Sequence, residues 1–140
     1  MQNLSGTDVH DVVLRLPKTL SPATTVAQAA AAFDDHHVHM LLITDEDGRL
    51  VGTLVRDDLS EDNVDRAVLA LDRAVLRDRT ISPDTPAEEA LQLLLARGER
   101  RIAVIDEDGR LVGLLCLKRR LNGFCSDSDV LERAVHGGNR

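Results

Sequence analysis

The sequence predicts an α/β (α+β) fold made of two pseudo-symmetric β-α-β-β-α repeats that pack together as one module. The first observation behind this prediction is an internal repeat, because residues 45–52 recur letter for letter as residues 106–113. The second is that the same order of turn, helix and strand signals surrounds both copies. The third is that 43% of the 140 residues are apolar, which is enough to build a core of ordinary size. Two copies of this length predict a compact pair rather than a long array.

Each copy opens with a short extended segment followed by a helix. In the second copy, residues 80–83 end in Ser-Pro, and the residue before a proline is pushed out of the helical region. Thr85 then predicts a helix N-cap, with Glu88 three residues later completing a capping box, and Gly98 predicts the end of the helix. The first copy repeats these signals less clearly over residues 24–36, where an alanine run favours helix.

Two short apolar runs follow each helix and predict a β-hairpin. An acidic turn with a glycine joins the two runs, and the glycine supplies the left-handed residue that such turns need. The predicted strands cover residues 40–43 and 50–55 in the first copy, and residues 102–105 and 111–117 in the second.

A further helix is predicted to connect the two copies. It begins near Asp57 and includes Val64, Ala67 and Leu71, and residues 127–135 are its expected counterpart after the second copy. Each copy alone would leave one face of its sheet uncovered, so we expect the two copies to pack sheet to sheet or helix to helix.

The composition argues against several classes of function. The 17 Lys and Arg residues are outnumbered by 24 Asp and Glu residues, giving a formal net charge of −7, whereas nucleic-acid binding requires a basic footprint. Phe33 and Phe124 are the only aromatic residues, too few for a platform on which bases stack.

No run approaches the roughly 18 apolar residues of a membrane span, and no basic segment leads into an apolar stretch at the amino end. Cys116 and Cys125 form no Cys-x-x-Cys pair and are too few for a disulfide scaffold. We therefore expect a soluble, reduced, cytoplasmic protein that binds neither nucleic acid nor membrane.

This arrangement resembles a tandem pair of CBS domains, often called a Bateman module. The resemblance rests on a duplicated order of helix, apolar strand, Asp-x-x-Gly-x-Leu-Val-Gly, second strand and acidic helix start, and it covers residues 8–122. It places the first CBS repeat at residues 8–62, a connecting helix or linker at 63–71, and the second repeat with its C-terminal helix at 72–135. The resemblance implies a regulatory module that binds AMP, ADP, ATP or S-adenosylmethionine in clefts between the repeats and commonly forms flat homodimers. It does not name the regulated protein partner.

The family's ribose-binding motif, Gly-x-hydrophobic-Ser/Thr-x-x-Asp, has an unequal counterpart in each copy. In the first copy the resemblance implies that Asp58 holds the vicinal ribose hydroxyls, since a carboxylate can accept two hydrogen bonds, while Val55 stands where the motif has a hydroxyl residue. In the second copy Arg119 replaces the carboxylate and Cys116 replaces the hydroxyl residue. Arginine offers no acceptor, so we expect one nucleotide site at most. Asp58 also has a purely structural interpretation, because an aspartate that opens a helix caps its first turn.

The resemblance also implies basic residues around the phosphates, just before the second strand of each repeat and just after the third. The residues at those positions are His39, Arg56, Arg100, Arg101 and Lys118. They predict a polyphosphate cradle, and the alternative is solvated surface charge in a chain with 29% charged residues.

Other patterns suggest metal or catalytic chemistry without completing it. His36, His37 and His39 cluster near two aspartates, yet no distant Cys or His set completes a zinc tetrahedron, and a pH-responsive patch is the milder interpretation. The acidic turns lack the glutamate that an EF-hand needs at its twelfth position. No catalytic triad, P-loop or Gly-x-Gly-x-x-Gly motif occurs, so we expect neither an enzyme nor a bound metal or cofactor. Cys116 is expected to be a buried, inert thiol and Cys125 an exposed one.

Two functions remain open from the sequence. The first is a sensor that binds an adenine-containing ligand at Asp58 and changes its shape or its association with partners. The second is a ligand-independent dimerisation or protein-interaction module, which the departures from the motif at Val55, Cys116 and Arg119 favour.

Overall fold

The structure is a computed structural model that describes residues 4–15, 17–36, 38–59, 67–118, 121 and 123–125. Its α-helices are α1 (Val9–Val12), α2 (Val26–Ala32) and α3 (Ala87–Arg97). Its strands are β1 (Thr19–Leu20), β2 (Leu41–Thr44), β3 (Leu50–Leu54), β4 (Thr80–Ile81), β5 (Arg101–Ile105) and β6 (Leu111–Cys116). Two short 3₁₀ turns cover Arg56–Leu59 and Ala70–Arg73.

The strands form two three-stranded sheets with the same topology, β1-β2-β3 and β4-β5-β6. In each sheet the first strand pairs parallel with the second, across the helix, and the second pairs antiparallel with the third. This confirms the duplicated fold and the β-α-β-β order that the internal repeat predicts.

The acidic turns between the hairpin strands are closed by their own side chains. Asp45 Oδ1 accepts bonds from two backbone amides of its turn, at 2.9 and 3.0 Å, and Asp106 Oδ1 does the same at 2.9 Å each. Gly48 and Gly109 both have φ +83°, a backbone conformation that residues other than glycine rarely adopt. The repeated sequence is therefore a turn sequence, and the first aspartate of each copy binds backbone.

The two sheets pack face to face around a shared core. Along β2, Leu41 and Ile43 face α2 while Leu42 faces the opposite sheet, as the two-residue period of a strand requires. In the second sheet Ala103 takes the place of Leu42. The residues of this shared core are Met40, Leu42, Leu50, Val55, Ala103, Ile105, Leu111 and Leu114. Of the two packings that the sequence left open, the structure has sheet on sheet.

The two hairpin turns also meet each other. Leu50 N donates to Gly109 O at 3.0 Å, and Leu111 N donates to Gly48 O at 2.9 Å. The repeated segments thus pair across the pseudo-twofold axis and set the spacing between the two sheets.

The segment that precedes each copy lies on the sheet of the other copy. Leu14 and Leu114 exchange two backbone bonds of 2.8 and 2.9 Å. Thr53 and Val75 do the same at 2.9 and 2.8 Å. Each half is therefore completed by chain from its partner half, and this exchange ties the repeats together.

Gly52 and Gly113 make this exchange possible. A Cβ built on Gly113 would lie 2.1 Å from Leu14 O, and one built on Gly52 would lie 2.5 Å from Ala74 Cβ. A Cβ does not fit at such distances unless its neighbours shift, so the glycine of each repeated Leu-Val-Gly is required by the segment that crosses it.

The predicted helix starts are each displaced. In the second repeat, α3 begins at Ala87 with Pro86 as its N-cap. The prediction of Thr85 as the N-cap, with a capping box to Glu88, is therefore wrong. The extended Pro86, at φ −58° and ψ 135°, comes between Thr85 and the helix. In the first repeat, α2 is shorter than the predicted helix over residues 24–36. Its capping box joins Thr25 to Gln28, with bonds of 3.2 and 2.9 Å.

The connecting helix predicted from Asp57 through Leu71 is wrong as a continuous element. Leu69 is extended, at φ −68° and ψ 138°, because it forms an antiparallel bridge with Thr25. The described part of this connection contains the 3₁₀ turns on either side of residues 60–66. Val64 and the predicted helix at residues 127–135 lie outside the described residues.

Candidate functional site

A cavity of about 340 Å³ opens between the two repeats, at the ends of β3 and β5. Its volume lies at the lower end of the range for small-molecule sites, about 300–1,000 Å³. The first repeat contributes His39, Met40 and Val55, and the second contributes Arg79, Glu99, Arg100 and Arg101. Three of the predicted phosphate residues, His39, Arg100 and Arg101, are thus brought together by the fold.

The pseudo-symmetry of the repeats explains why basic residues converge here. His39 precedes β2, and Arg100 occupies the matching position before β5, so both approach the seam from equivalent strand ends. Arg100 Nε donates to Leu117 O at 3.2 Å, which orients its guanidinium. Arg101 lies opposite Cys116 in the β5–β6 register.

Asp58 is bound by Arg79, a residue that no motif in the sequence singles out. Arg79 donates from both terminal nitrogens, to Asp58 Oδ2 at 2.7 Å and to Oδ1 at 3.1 Å. Asp58 Oδ2 also accepts the backbone N–H of Val55 at 2.8 Å. The pair is mostly buried, with the side chain of Asp58 14% exposed and that of Arg79 20% exposed.

These contacts support both interpretations of Asp58. The bond from Val55 N caps the 3₁₀ turn that follows β3, which is the structural role. Arg79 lines the cavity and Asp58 is not among the lining residues, so the Asp58 carboxylate is connected to the cavity wall through Arg79. The sequence held one signal for Arg79, because Lys18 is basic at the equivalent position of the first repeat.

The charge of the lining favours an anion. Three arginines and one glutamate lie among the described lining residues, together with His39. Arginine binds phosphate and carboxylate oxygens through its planar fork of donors. Met40 and Val55 supply the apolar part of the wall.

Arg56 is directed at backbone rather than at this cavity. Its guanidinium donates to the carbonyl oxygens of Phe33, of Asp35 at 3.0 Å and of Val38 at 2.8 Å. It also lies over the Phe33 ring, 5.2 Å from the centroid. These carbonyls follow α2, so Arg56 fastens the end of that helix to the turn after β3.

We expect Arg56→Lys to lower the free energy of unfolding by about 1–2 kcal/mol, because an ammonium cannot reproduce a fork that serves three carbonyls. Urea unfolding measures this change. Arg77→Lys is the control, since the side chain of Arg77 is 93% exposed. Equal stability of the two variants would show that the Arg56 contacts contribute nothing.

Neither Lys118 nor Cys116 is among the described residues that line the cavity. Lys118 is exposed, and its backbone N–H donates to Gly123 O at 2.8 Å. Arg119 and His37 lie outside the described residues. Cys116 is buried in a small cluster with Leu14 and Cys125.

The prediction that Cys125 is exposed is wrong. Its relative exposure is 9%, because Phe124 forms a bridge with Leu117 and carries Cys125 onto the end of β6. The sulfur atoms of Cys116 and Cys125 are 3.1 Å apart.

Within the described ranges, no group of three or more His, Cys, Asp or Glu side chains is placed to hold a metal ion. In the same part of the chain no helix has the length and apolar character needed to cross a membrane.

Comparison with known proteins places the chain in one family. The family model for the CBS domain matches residues 9–64 and 73–122. Inosine-5'-monophosphate dehydrogenase of Methanocaldococcus jannaschii is 27% identical over 110 residues, which are 77% of this chain and 22% of that enzyme. The chain thus spans about a fifth of the length of that relative.

Two solved structures share the fold. A CBS domain protein from Pyrobaculum aerophilum complexed with AMP has a TM-score of 0.67 at 22% identity, over 91% of this chain and 98% of that chain. CBSX2 in complex with AMP has a TM-score of 0.68 at 23% identity, over 96% and 100%. With two family matches that fall on the two repeats of the fold, this chain belongs to the CBS-domain family as a tandem CBS pair.

Proposed function

We propose that this chain is a regulatory module that binds AMP, ADP, ATP or S-adenosylmethionine in the cavity between its repeats and thereby alters its own assembly or a partner protein. The observation that carries the proposal is the meeting of Arg79, Arg100 and Arg101 at a cavity backed by Asp58. Similar CBS structures contain AMP, which supports an adenosine-containing ligand.

Binding at Asp58 requires an exchange of partners. Its two oxygens already accept three hydrogen bonds, two of them from Arg79. A carboxylate offers about four acceptor positions, so two ribose hydroxyls bind fully only if Arg79 turns away. A phosphate in the cavity gives Arg79 an alternative anion, and the base packs against Met40 and Val55.

This exchange supplies a reason for a change of shape. A ligand shifts a conformational equilibrium only through different affinities for the two states. Asp58 belongs to the first repeat and Arg79 to the segment that enters the second, so parting them alters a contact between the halves. The exchange also predicts that a phosphate-bearing ligand binds better than adenosine.

A thermal-shift panel of AMP, ADP, ATP, S-adenosylmethionine and adenosine tests the proposal. At a hundred times its dissociation constant, the true ligand adds about 2.7 kcal/mol to the free energy of unfolding. Asp58→Asn is expected to remove this response, and Asp57→Asn, the same change at the exposed neighbour, is expected to keep it. Absence of a shift with every compound, or an undiminished shift in Asp58→Asn, contradicts the proposal.

A ligand-independent dimerisation or protein-interaction module is the second candidate. The observation that favours it is that Arg79 and Val55 already satisfy Asp58, as in a permanent structural contact. Closed twofold dimers are the commonest soluble oligomers, and we propose a homodimer under either function. Sizing at several concentrations distinguishes the candidates, because this one requires a dimer whose dissociation is unaffected by nucleotide.

A further inference from the structure

We infer that Cys116 and Cys125 form a reversible redox site, in which the two thiols are converted to an intramolecular disulfide by exchange with glutathione disulfide. Their sulfur atoms are 3.1 Å apart in the reduced chain. Neither cysteine is among the described residues that line the proposed ligand cavity, so the inference does not rest on nucleotide binding.

The backbone holds the two cysteines directly opposite each other. Leu117 and Phe124 form an antiparallel bridge, and Cys125 N donates to Cys116 O at 2.7 Å. One step further along, Lys118 N donates to Gly123 O at 2.8 Å. Opposite residues of an antiparallel pair have Cα atoms about 4.5–5.5 Å apart, inside the range of about 4.4–6.8 Å found in disulfides.

The packing fixes this geometry from both sides. Leu117 is fully buried and Phe124 is 2% exposed, so the residues next to the cysteines are anchored in the core of the second repeat. Leu14 packs with the two cysteines as the third member of their buried cluster. Because the fold has already ordered both thiols, closing the bond requires little further loss of conformational freedom.

The reaction is a two-step thiol–disulfide exchange. One cysteine sulfur, as thiolate, attacks glutathione disulfide, the S–S bond of glutathione breaks, and one glutathione thiolate leaves. The second cysteine sulfur attacks the mixed disulfide and expels the second glutathione. Two protein thiols are oxidised, one glutathione disulfide is reduced to two thiols, and the protons from the cysteines pass to the leaving thiolates.

The two cysteines have different parts in this sequence. Cys125 is 9% exposed and Cys116 is 3% exposed. A transient opening of the chain at Gly123–Cys125 therefore exposes Cys125 to glutathione disulfide before Cys116. We assign the mixed disulfide to Cys125 and the resolving step to Cys116. The disulfide then fastens the chain after β6 to the end of that strand.

Equilibration of the full chain in glutathione redox buffers tests the inference. Acid quenching, alkylation and intact mass measure the disulfide fraction, and peptide mapping identifies the bonded residues. The same measurement in urea gives the value for the unfolded chain. We expect the equilibrium constant for forming the disulfide to be about 100-fold larger in the folded chain than in the unfolded chain. By linkage, the folding equilibrium constant of the oxidised chain is then larger than that of the reduced chain by the same factor.

Single variants test the order of the steps. Cys116→Ser is expected to accumulate the glutathione adduct on Cys125, and Cys125→Ser is expected to leave Cys116 mostly unmodified while folded. Burial could prevent glutathione disulfide from reaching the thiols of the folded chain. The reduced chain is therefore also refolded from urea directly into each redox buffer. The inference is overturned if the equilibrium constant for the disulfide in the folded chain is equal to or below its value in urea. It is also overturned if disulfides form only between chains.

Discussion

Gly113→Ala is expected to lower the free energy of unfolding by about 3 kcal/mol or more, because overpacking is joined here by the loss of backbone bonds. The new Cβ would lie 2.1 Å from Leu14 O and 2.8 Å from Val13 Cγ2. The backbone at Leu14 has to move, and its two bonds with Leu114 are then broken. Urea or thermal unfolding of the two chains measures the change.

Gly52→Ala is the matched variant in the first repeat. Its nearest obstacle is a side chain, since the new Cβ would lie 2.5 Å from Ala74 Cβ, while Ala74 Cα is 3.8 Å away. We therefore expect Ala74→Gly to restore much of the stability lost in Gly52→Ala. No trimming of a side chain removes the clash of Gly113→Ala, because an oxygen of the backbone causes it. Mild loss in Gly113→Ala would show that the two halves do not exchange segments in this way.

The second large effect is expected at the pair formed by Asp58 and Arg79. Arg79→Met is expected to lower the free energy of unfolding by about 2 kcal/mol, because it removes both charge-assisted bonds to a carboxylate that remains mostly buried. Arg77→Met is the control for an arginine at the exposed surface. In the double variant with Asp58→Asn, the two losses are expected to be less than additive.

The same variant separates the roles of Arg79 in binding. If Arg79 leaves Asp58 to meet a phosphate, Arg79→Met frees the carboxylate for ribose and removes a phosphate contact. Adenosine is then expected to bind more tightly than to the unmodified chain, and ATP more weakly. A parallel loss for both ligands would mean that Arg79 only supports the site, and unchanged binding of both would place the ligand elsewhere.

The duplicated architecture could be predicted from the sequence because its signals are local. The repeated segment contains a glycine turn and the start of the strand that follows it, Leu50 in the first copy and Leu111 in the second, and both appear in the structure where the sequence places them. The expectation that one copy alone would leave a sheet face uncovered is met by Leu42, which faces the opposite sheet while Leu41 and Ile43 face α2.

The features that sequence reasoning missed depend on contacts between distant positions. The partner of Asp58 is 21 residues away at Arg79, and Leu14 lies on the sheet of the second repeat, one hundred residues along the chain at Leu114. The burial of Cys125 follows from a bridge between two of its neighbours. The basic Lys18 at the position equivalent to Arg79 marks that residue but not its partner. Local patterns do not indicate such pairings, since they are determined by how the two halves fit together.

The central claim is that the seam between the repeats contains one adenosyl site that depends on Asp58. Titration calorimetry of the compound with the largest thermal shift tests it most directly, because it reports the number of sites and the affinity together. We predict one ligand per chain, and no measurable binding heat in Asp58→Asn beside normal binding in Asp57→Asn. Two equivalent sites per chain, or unchanged affinity in Asp58→Asn, would contradict the account.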